Sequence, residues 1–433
     1  MADVRPFRGL RFDPAVDDPA LTIAPPYDVI SAAEQRALYE RSTHNVVRIE
    51  YGEQFPGDTT SENRYMRAAR DLRAWTSSGV LIRDAVPVIY SYQLEFAWGG
   101  RSHTRSHYVA AVRLEEWDKG IIKPHEHTLS GPKADRLDLL RATRTQISPV
   151  YCLYRAKSAR SQAPEIIGVP LYDFEADGQR HRLSAITVAA DIERIAAHLH
   201  HCDLYIADGH HRYETALKYR DECRAAAASW TGEEPENFVL MALTDAADPG
   251  LLVLPTHRLL TVPAIPADAL ARITTSFRVE TVASGDDLDA GALARLEHAQ
   301  TATAFLALGL APGTAHLLTL EDRAAVERLM PADRPQAWKR LDVSVLQYGI
   351  LNHVFGIDDA ALAAGGAVSY TQDPRAAQDA VATGRAKAAF LLNATPVEQV
   401  LAVADAGGRM PQKSTYFYPK LPTGLVMNRL SGG

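Results

Sequence analysis

The densest group of reactive side chains is IADGHHRYETAL, Ile206–Leu217. The apolar run ahead of it predicts a strand that carries Asp208 to its C-terminal end. Gly209 then permits a tight turn, and a helix starts at once. Such a corner leaves backbone N–H groups unbonded at the positive end of the helix dipole. With His210, His211 and Arg212 beside them, it offers what a phosphate needs: oriented N–H donors, imidazole donors and a guanidinium fork. The plainer alternative is that Asp208 only caps the helix while the two histidines pack or face solvent.

A second group is KPHEHTLSGPKADR, Lys123–Arg136. Two prolines and a glycine predict a loop over Lys123–Lys133, followed by a helix from near Ala134 with Leu137 and Leu140 turned inward. Glu126 stands between His125 and His127, with Lys123, Lys133 and Arg136 nearby. A carboxylate held in a shaped loop can act as a general base, or the segment is simply a solvated charged loop. The third group, MPQKSTYFYPKLPTGLV (Met410–Val426), offers Lys413, Ser414 and Thr415 to a phosphate and Tyr416, Phe417 and Tyr418 as an aromatic wall. Taken alone, the segment reads first as an ordinary core strand ending in a proline-rich tail. No G-x-x-x-x-G precedes the K-S-T order, so it is not a P-loop, and G-x-G-x-x-G, H-E-x-x-H and G-x-S-x-G are absent. Arg48 in NVVRIE, and His257 with Arg258 in LPTHRLL, lie at expected strand ends, where cap or surface roles compete with a place in a cleft. Tyr27 and Asp28 belong to a double-proline loop, APPYDVIS, that can shape a pocket rim.

Positioning these groups requires a large mixed scaffold. The chain has 433 residues, 46% hydrophobic and 23% charged, and 46 basic against 53 acidic side chains leave a net charge of −7. That composition is globular, and without a basic block it argues against nucleic-acid binding. Three cysteines, none in C-x-x-C, fit a reducing compartment. No apolar leader or membrane-spanning run is present, so a cytoplasmic location is expected. SAAEQRALYE, SENRYMRAARDLRAWTSSGVL and DIERIAAHLHH read as helices. VPVIYSYQLEF and HTRSHYVAAVRL read as strands joined at Gly99-Gly100. Strands and helices interleave to the end, predicting an α+β or mixed α/β protein. Three regions are expected: 1–120 with PPYDVIS, 121–262 bearing the KPHE and DGHHR motifs, and 263–433 with the K-S-T segment. A boundary is expected near 262–265.

Taken together, PPYDVIS, KPHEHTLSGPKADRLDLLRAT, IADGHHRYETAL, LPTHRLL and MPQKSTYFYPKLPTGLV resemble a widespread bacterial and archaeal family known only as a domain of unknown function. The resemblance runs from near residue 24 to near residue 426. A more distant one is to the free-serine kinases, built on the fold shared with ParB nucleotide-binding domains and sulfiredoxin. Those kinases carry K-P-H-E, D-G-H-H-R and K-[ST]-T in the same order, matching Lys123–Glu126, Asp208–Arg212 and Lys413–Thr415 here. The resemblance implies a ParB/sulfiredoxin-like core with large insertions and an additional N-terminal region. It implies ATP or ADP as donor, Mg²⁺, and free L-serine or a related hydroxy amino acid as acceptor. Glu126 would take the hydroxyl proton, and Asp208 would assist it or hold the metal. Gly209, His210, His211 and Arg212 would cradle the nucleotide phosphates, with Lys413, Ser414 and Thr415 closing over them. Lys123, His125 and Tyr416 would face the substrate. Where the kinases continue with a basic pair, this chain has Tyr416 and Phe417. Two other readings remain open. One is a metal-dependent phosphoesterase using His125, His127, Asp208, His210 and His211. The other is a non-catalytic nucleotide-binding module.

Overall fold

A computed structural model of the chain describes residues 1–126, 128, 130–157, 164–284, 290–299 and 302–430. His127, named above as a possible ligand, lies outside the described residues. The chain is a mixed α/β protein in two compact units. Unit 1 comprises Met1–Pro124, Thr128–Leu251 and Pro419–Gly433, and unit 2 comprises His125–His127 and Leu252–Tyr418. The division falls between Leu251 and Leu252, ahead of the 262–265 segment.

Unit 1 is organised by a nine-stranded mixed sheet. Its central strands run Cys202–Asp208, Val150–Ala156, Phe238–Asp245, Arg101–Arg113 and Ile89–Trp98. Most pairs are antiparallel. Phe238–Asp245 and Val150–Ala156 pair in parallel, as do Cys202–Asp208 and Ile122–Lys123. The Gly99-Gly100 hairpin is present, both glycines having positive φ. Its strands carry the β-branched and aromatic residues that suit a pleated, buried surface. The strand Cys202–Asp208 is apolar because it is covered: Leu204 and Ile206 pack with Cys152, Tyr213 and Leu217 in one core cluster.

Helix Arg64–Ser77 is capped by Asn63, whose side chain accepts from the N–H groups of Tyr65 and Met66. The spacing of Tyr65, Ala69, Leu72 and Trp75 predicts one inward face; Ala69, Leu72 and Trp75 are buried together with Ala68, and Tyr65 is half-buried. Ser31 caps helix Ala32–Arg41, in a capping box with Glu34. The double-proline loop is anchored by paired backbone hydrogen bonds between Ala24 and Thr423.

Unit 2 contains a six-stranded antiparallel sheet in the order Phe277–Ser284, Thr314–Leu320, Ala304–Leu308, Ala388–Leu392, His257–Leu260 and Val368–Thr371. Aliphatic and aromatic clusters pack on it, among them Phe305, Leu318, Phe390 and Leu346. No helix among the described residues is long and apolar enough to cross a membrane.

Three local expectations are corrected. NVVRIE is not a strand: Val47–Glu50 is a helical turn, nucleated by the Asn45 side chain accepting from the Val47 N–H at 3.0 Å. Arg48 accordingly lies over the Tyr39 ring at 4.2 Å and donates to the Tyr39 carbonyl. The loop expected over Lys123–Lys133 is shorter, because helix Ser130–Thr143 starts four residues before Ala134. Pro132 falls in its first turn, where a missing N–H costs nothing. LLVLPTHRLL is two strands, Leu252–Leu254 and His257–Leu260, divided at Pro255 and serving different sheets.

The strand that delivers Asp208 sets a stability prediction. Leu204 is fully buried, so Leu204→Ala is expected to destabilise the protein by about 2–5 kcal/mol. A lowered urea midpoint would show it, and an unchanged one would remove this strand from the core.

Candidate functional site

In unit 1 the strand Cys202–Asp208 ends as anticipated in a left-handed Gly209, φ 94°, and helix His210–Ala226 follows immediately. Its N-cap is Gly209, which has no side chain with which to cap the helix. His210, Tyr213, Leu217 and Arg220 form its buried side, three to four residues apart. His210 is thus core-facing, while His211 is half-buried. Burial pushes the His211 imidazole below its usual range, against the pull of Glu214 and Asp28.

Asp208 is held by two cations. Arg212, one helical turn on, donates from Nη2 to Oδ2 at 2.5 Å, and Lys420 donates to Oδ1. Burial alone would raise its pKa. Lys420 and Arg212 outweigh burial and hold the carboxyl well below the ordinary range. Arg212 also donates to the Pro149 carbonyl. Its Nε is buried without an acceptor among the described residues. The close approach of this guanidinium to Gly209 demands glycine there, since a Cβ would stand 2.8 Å from Arg212 Nε.

Lys420 was not singled out by sequence reasoning, although it lies within a quoted motif. Its signal was weak: a lysine after a proline, 212 residues from its partner. Two further motifs reach this neighbourhood. The Arg136 guanidinium lies 4.0 Å above the Tyr27 ring. The Tyr27 phenol is pushed up to about 12 by burial, with Arg212 and Arg136 pulling against it. Lys123 sits on the strand Ile122–Lys123, where its ammonium is 3.6 Å from Asp203 and 5.1 Å from the Tyr205 ring centroid.

Unit 2 brings His125 and Glu126 of the second group to the Lys413–Thr415 segment of the third. His125 is fully buried. Its Nε2 is 3.1 Å from Thr415 Oγ1, and its carbonyl accepts from the Met410 N–H. Glu126 forms a parallel bridge with Met410, its carboxylate partly exposed and 4.0 Å from His125 Nε2. Lys413 adopts a left-handed conformation, φ 56°, unusual for a side-chain-bearing residue. The buried Arg258 stabilises that turn by donating to the Lys413 carbonyl at 3.2 Å. Ser414 is buried, and its hydroxyl donates to the Pro411 carbonyl at 2.5 Å. Tyr416–Tyr418 pairs with Leu252–Leu254, and Phe417 meets the His125 ring edge-on. The K-S-T segment is therefore both a structured turn and the start of a strand.

The described donors do not fit a resident metal. No group of three or more His, Cys, Asp or Glu among the described residues is arranged to hold one. Asp208, implied as the Mg²⁺ ligand, has a cation on each oxygen.

Comparison with known proteins identifies the family. A family model described as "Protein of unknown function (DUF1015)" matches residues 4–344. The chain belongs to this family. No curated protein matches it. Among solved structures, a free serine kinase variant in complex with ADP is 13% identical, with a TM-score of 0.37, covering 75% of this chain and 92% of that one. A free serine kinase in complex with AMP is 12% identical, with the same TM-score, covering 75% and 91%. A conserved hypothetical protein from Pyrococcus furiosus is 14% identical, with a TM-score of 0.34, covering 73% and 93%.

The Asp208 pair predicts an acid response for this DUF1015 member. Its pKa is lower in the folded chain than in the unfolded one, near 3.9. Its stabilisation is therefore complete above that value and is lost as pH falls through the lower, folded pKa. Asp208→Asn is expected to lower the urea midpoint at neutral pH, because Lys420 and Arg212 lose their counter-charge. It should also flatten the dependence of that midpoint on pH below about 4. An acid limb identical to wild type would show that the pair contributes nothing.

Proposed function

We propose that the protein is a nucleotide-dependent phosphotransferase, with a ParB/sulfiredoxin-like core, acting on the hydroxyl of free L-serine or a related hydroxy amino acid. The observation that carries this reading is the Asp208–Arg212 corner. A helix of 17 residues begins at a left-handed glycine that has no side chain to cap it, beside a buried guanidinium N–H that lacks an acceptor among the described residues. That combination matches a phosphate oxygen in charge and in hydrogen-bonding sense. The order of KPHE, DGHHR and KST along the chain, shared with free-serine kinases, supports the reaction class.

On this reading Gly209, His210, His211 and Arg212 hold the phosphates of ATP or ADP, and Lys413, Ser414 and Thr415 contribute further donors. Glu126, partly exposed and adjacent to His125, accepts the proton of the acceptor hydroxyl. Lys123, His125 and Tyr416 orient the acceptor. The buried His125 acts chiefly by fixing the loop that carries Glu126, through Thr415 and Met410. Asp208 positions Arg212 and Lys420, and no metal-binding step is assigned to it. Phosphoryl transfer depends largely on positioning and charge neutralisation, and this cationic corner supplies both.

Incubation with ATP or ADP, Mg²⁺ and a panel of amino acids should yield a phosphorylated amino acid, detected by phosphorus NMR. Folded protein that forms none in any pairing would overturn the proposal. Glu126→Gln is expected to lower turnover by about a hundredfold or more while nucleotide affinity is kept. Equal loss of both would reject Glu126 as the base. Gly209→Ala should weaken nucleotide binding by about tenfold. A Cβ at φ 94° is strained and displaces Arg212.

A further inference from the structure

Beside the corner, unit 1 holds a second feature that no motif announces: a small pocket of about 50 Å³, partly open to solvent. One part of its wall is polar, formed by Glu50, Arg136, Ser148 and Arg212; another part is aliphatic, including Leu139 and Ile147. A space of that size takes a few water molecules or a solute of a few heavy atoms. Glu50 enters the site from the short helical turn Val47–Glu50, which the sequence reading mistook for a strand.

The polar wall is a built network. Ser148 donates to Glu50 Oε1 at 2.8 Å, and Arg136 Nη1 lies 3.3 Å from the same oxygen. Arg136 Nη2 binds Asp135 at 2.5 Å, and Arg64 also pairs with Asp135. On the other side, Arg212 and Lys420 share Asp208. Four cations thus face three carboxylates in these two linked sets. Burial pushes the Glu50 carboxyl up, opposed by Arg136, Ser148 and Arg212. Uncompensated charge is costly away from water. A bound anion relieves it.

We propose that this pocket binds a small carboxylic acid with a short aliphatic body, its carboxylate toward Arg136 and Arg212 and its hydrocarbon against Leu139 and Ile147. A planar guanidinium matches a carboxylate in bidentate geometry, and the aliphatic wall excludes a fully hydrated ion. The binding claim stands on the pocket alone. That the acid is the phosphoryl acceptor rests on the phosphotransferase reading.

The test is a calorimetric titration of the full chain without nucleotide, using butyrate, 3-hydroxybutyrate and L-serine, with inorganic phosphate as the control anion. At least one of the carboxylates is expected to bind wild type. Two variants should each weaken that binding by about tenfold or more. Ala216→Leu fills the pocket from a buried position on its lining. Arg136→Lys keeps the charge and removes the fork. Thermal midpoints close to wild type would establish that both variants are folded. No carboxylate binding to wild type, affinity unchanged in both folded variants, or phosphate binding with the same variant sensitivity would each overturn the proposal. Carboxylate binding lost in the variants, with no phosphoryl transfer in any pairing, would uphold the pocket and reject the phosphotransferase reading.

Discussion

A largely buried carboxylate with a cation on each oxygen holds the strand–helix corner of unit 1 together. Asp208 lies at the end of a covered strand, where a lone charge is poorly tolerated. Arg212 comes from the following helical turn and Lys420 from 212 residues further along the chain. Asp208 is occupied, and Gly209, which has no side chain, starts the helix. Arg212 in turn reaches the Pro149 carbonyl, tying the corner to the segment that enters the strand Val150–Ala156. The same guanidinium lines the adjoining pocket. Ion pairing, helix initiation and pocket electrostatics therefore meet in one side chain.

Polar residues in unit 2 do comparable work on the backbone. Arg258 is buried, and burial pushes its guanidinium down to about 10. It donates to the carbonyls of Thr256 and Lys413 and lies 5.6 Å from the Tyr370 ring centroid. Those bonds hold Lys413 in its left-handed turn, while Thr395 donates to the Ser414 carbonyl. His257 accepts from the Leu392 N–H inside the sheet. LPTHRLL and the K-S-T segment are thus linked physically, and a cap-like structural role accounts for His257 and Arg258 without placing either in a cleft. His125 and Thr415 are joined across 290 residues by one side-chain hydrogen bond.

Legibility followed the range of the interactions. Helix Arg64–Ser77, the Gly99-Gly100 hairpin and the strand–glycine–helix corner were readable because each is encoded by neighbours: apolar spacing, a cap, or a residue suited to positive φ. Val47–Glu50 was misread because its β-branched residues suggested a strand, whereas the Asn45 side chain closes a helical turn. The strand expected through LPTHRLL divided at Pro255, since its halves pair with partners about 130 to 160 residues away. Most candidate side chains were identified by type, but not their partners. Asp208 read as an assisting base or metal ligand, and in the fold its oxygens belong to Arg212 and Lys420.

The sequence by itself determined the mixed α/β class, the family, the elements closed by local hydrogen bonds, and the segments dense in reactive groups. Those properties depend on residue type and short spacing, which the chain states directly. Tertiary structure decided which groups meet: Lys420 with Asp208, Arg136 with Tyr27 and Glu50, and His125 with Thr415. It also created the pocket beside Glu50, which no contiguous stretch encodes. Such contacts are selected by the packing of whole sheets and helices, and their charge balance exists only once distant cations and carboxylates share a space from which water is largely excluded.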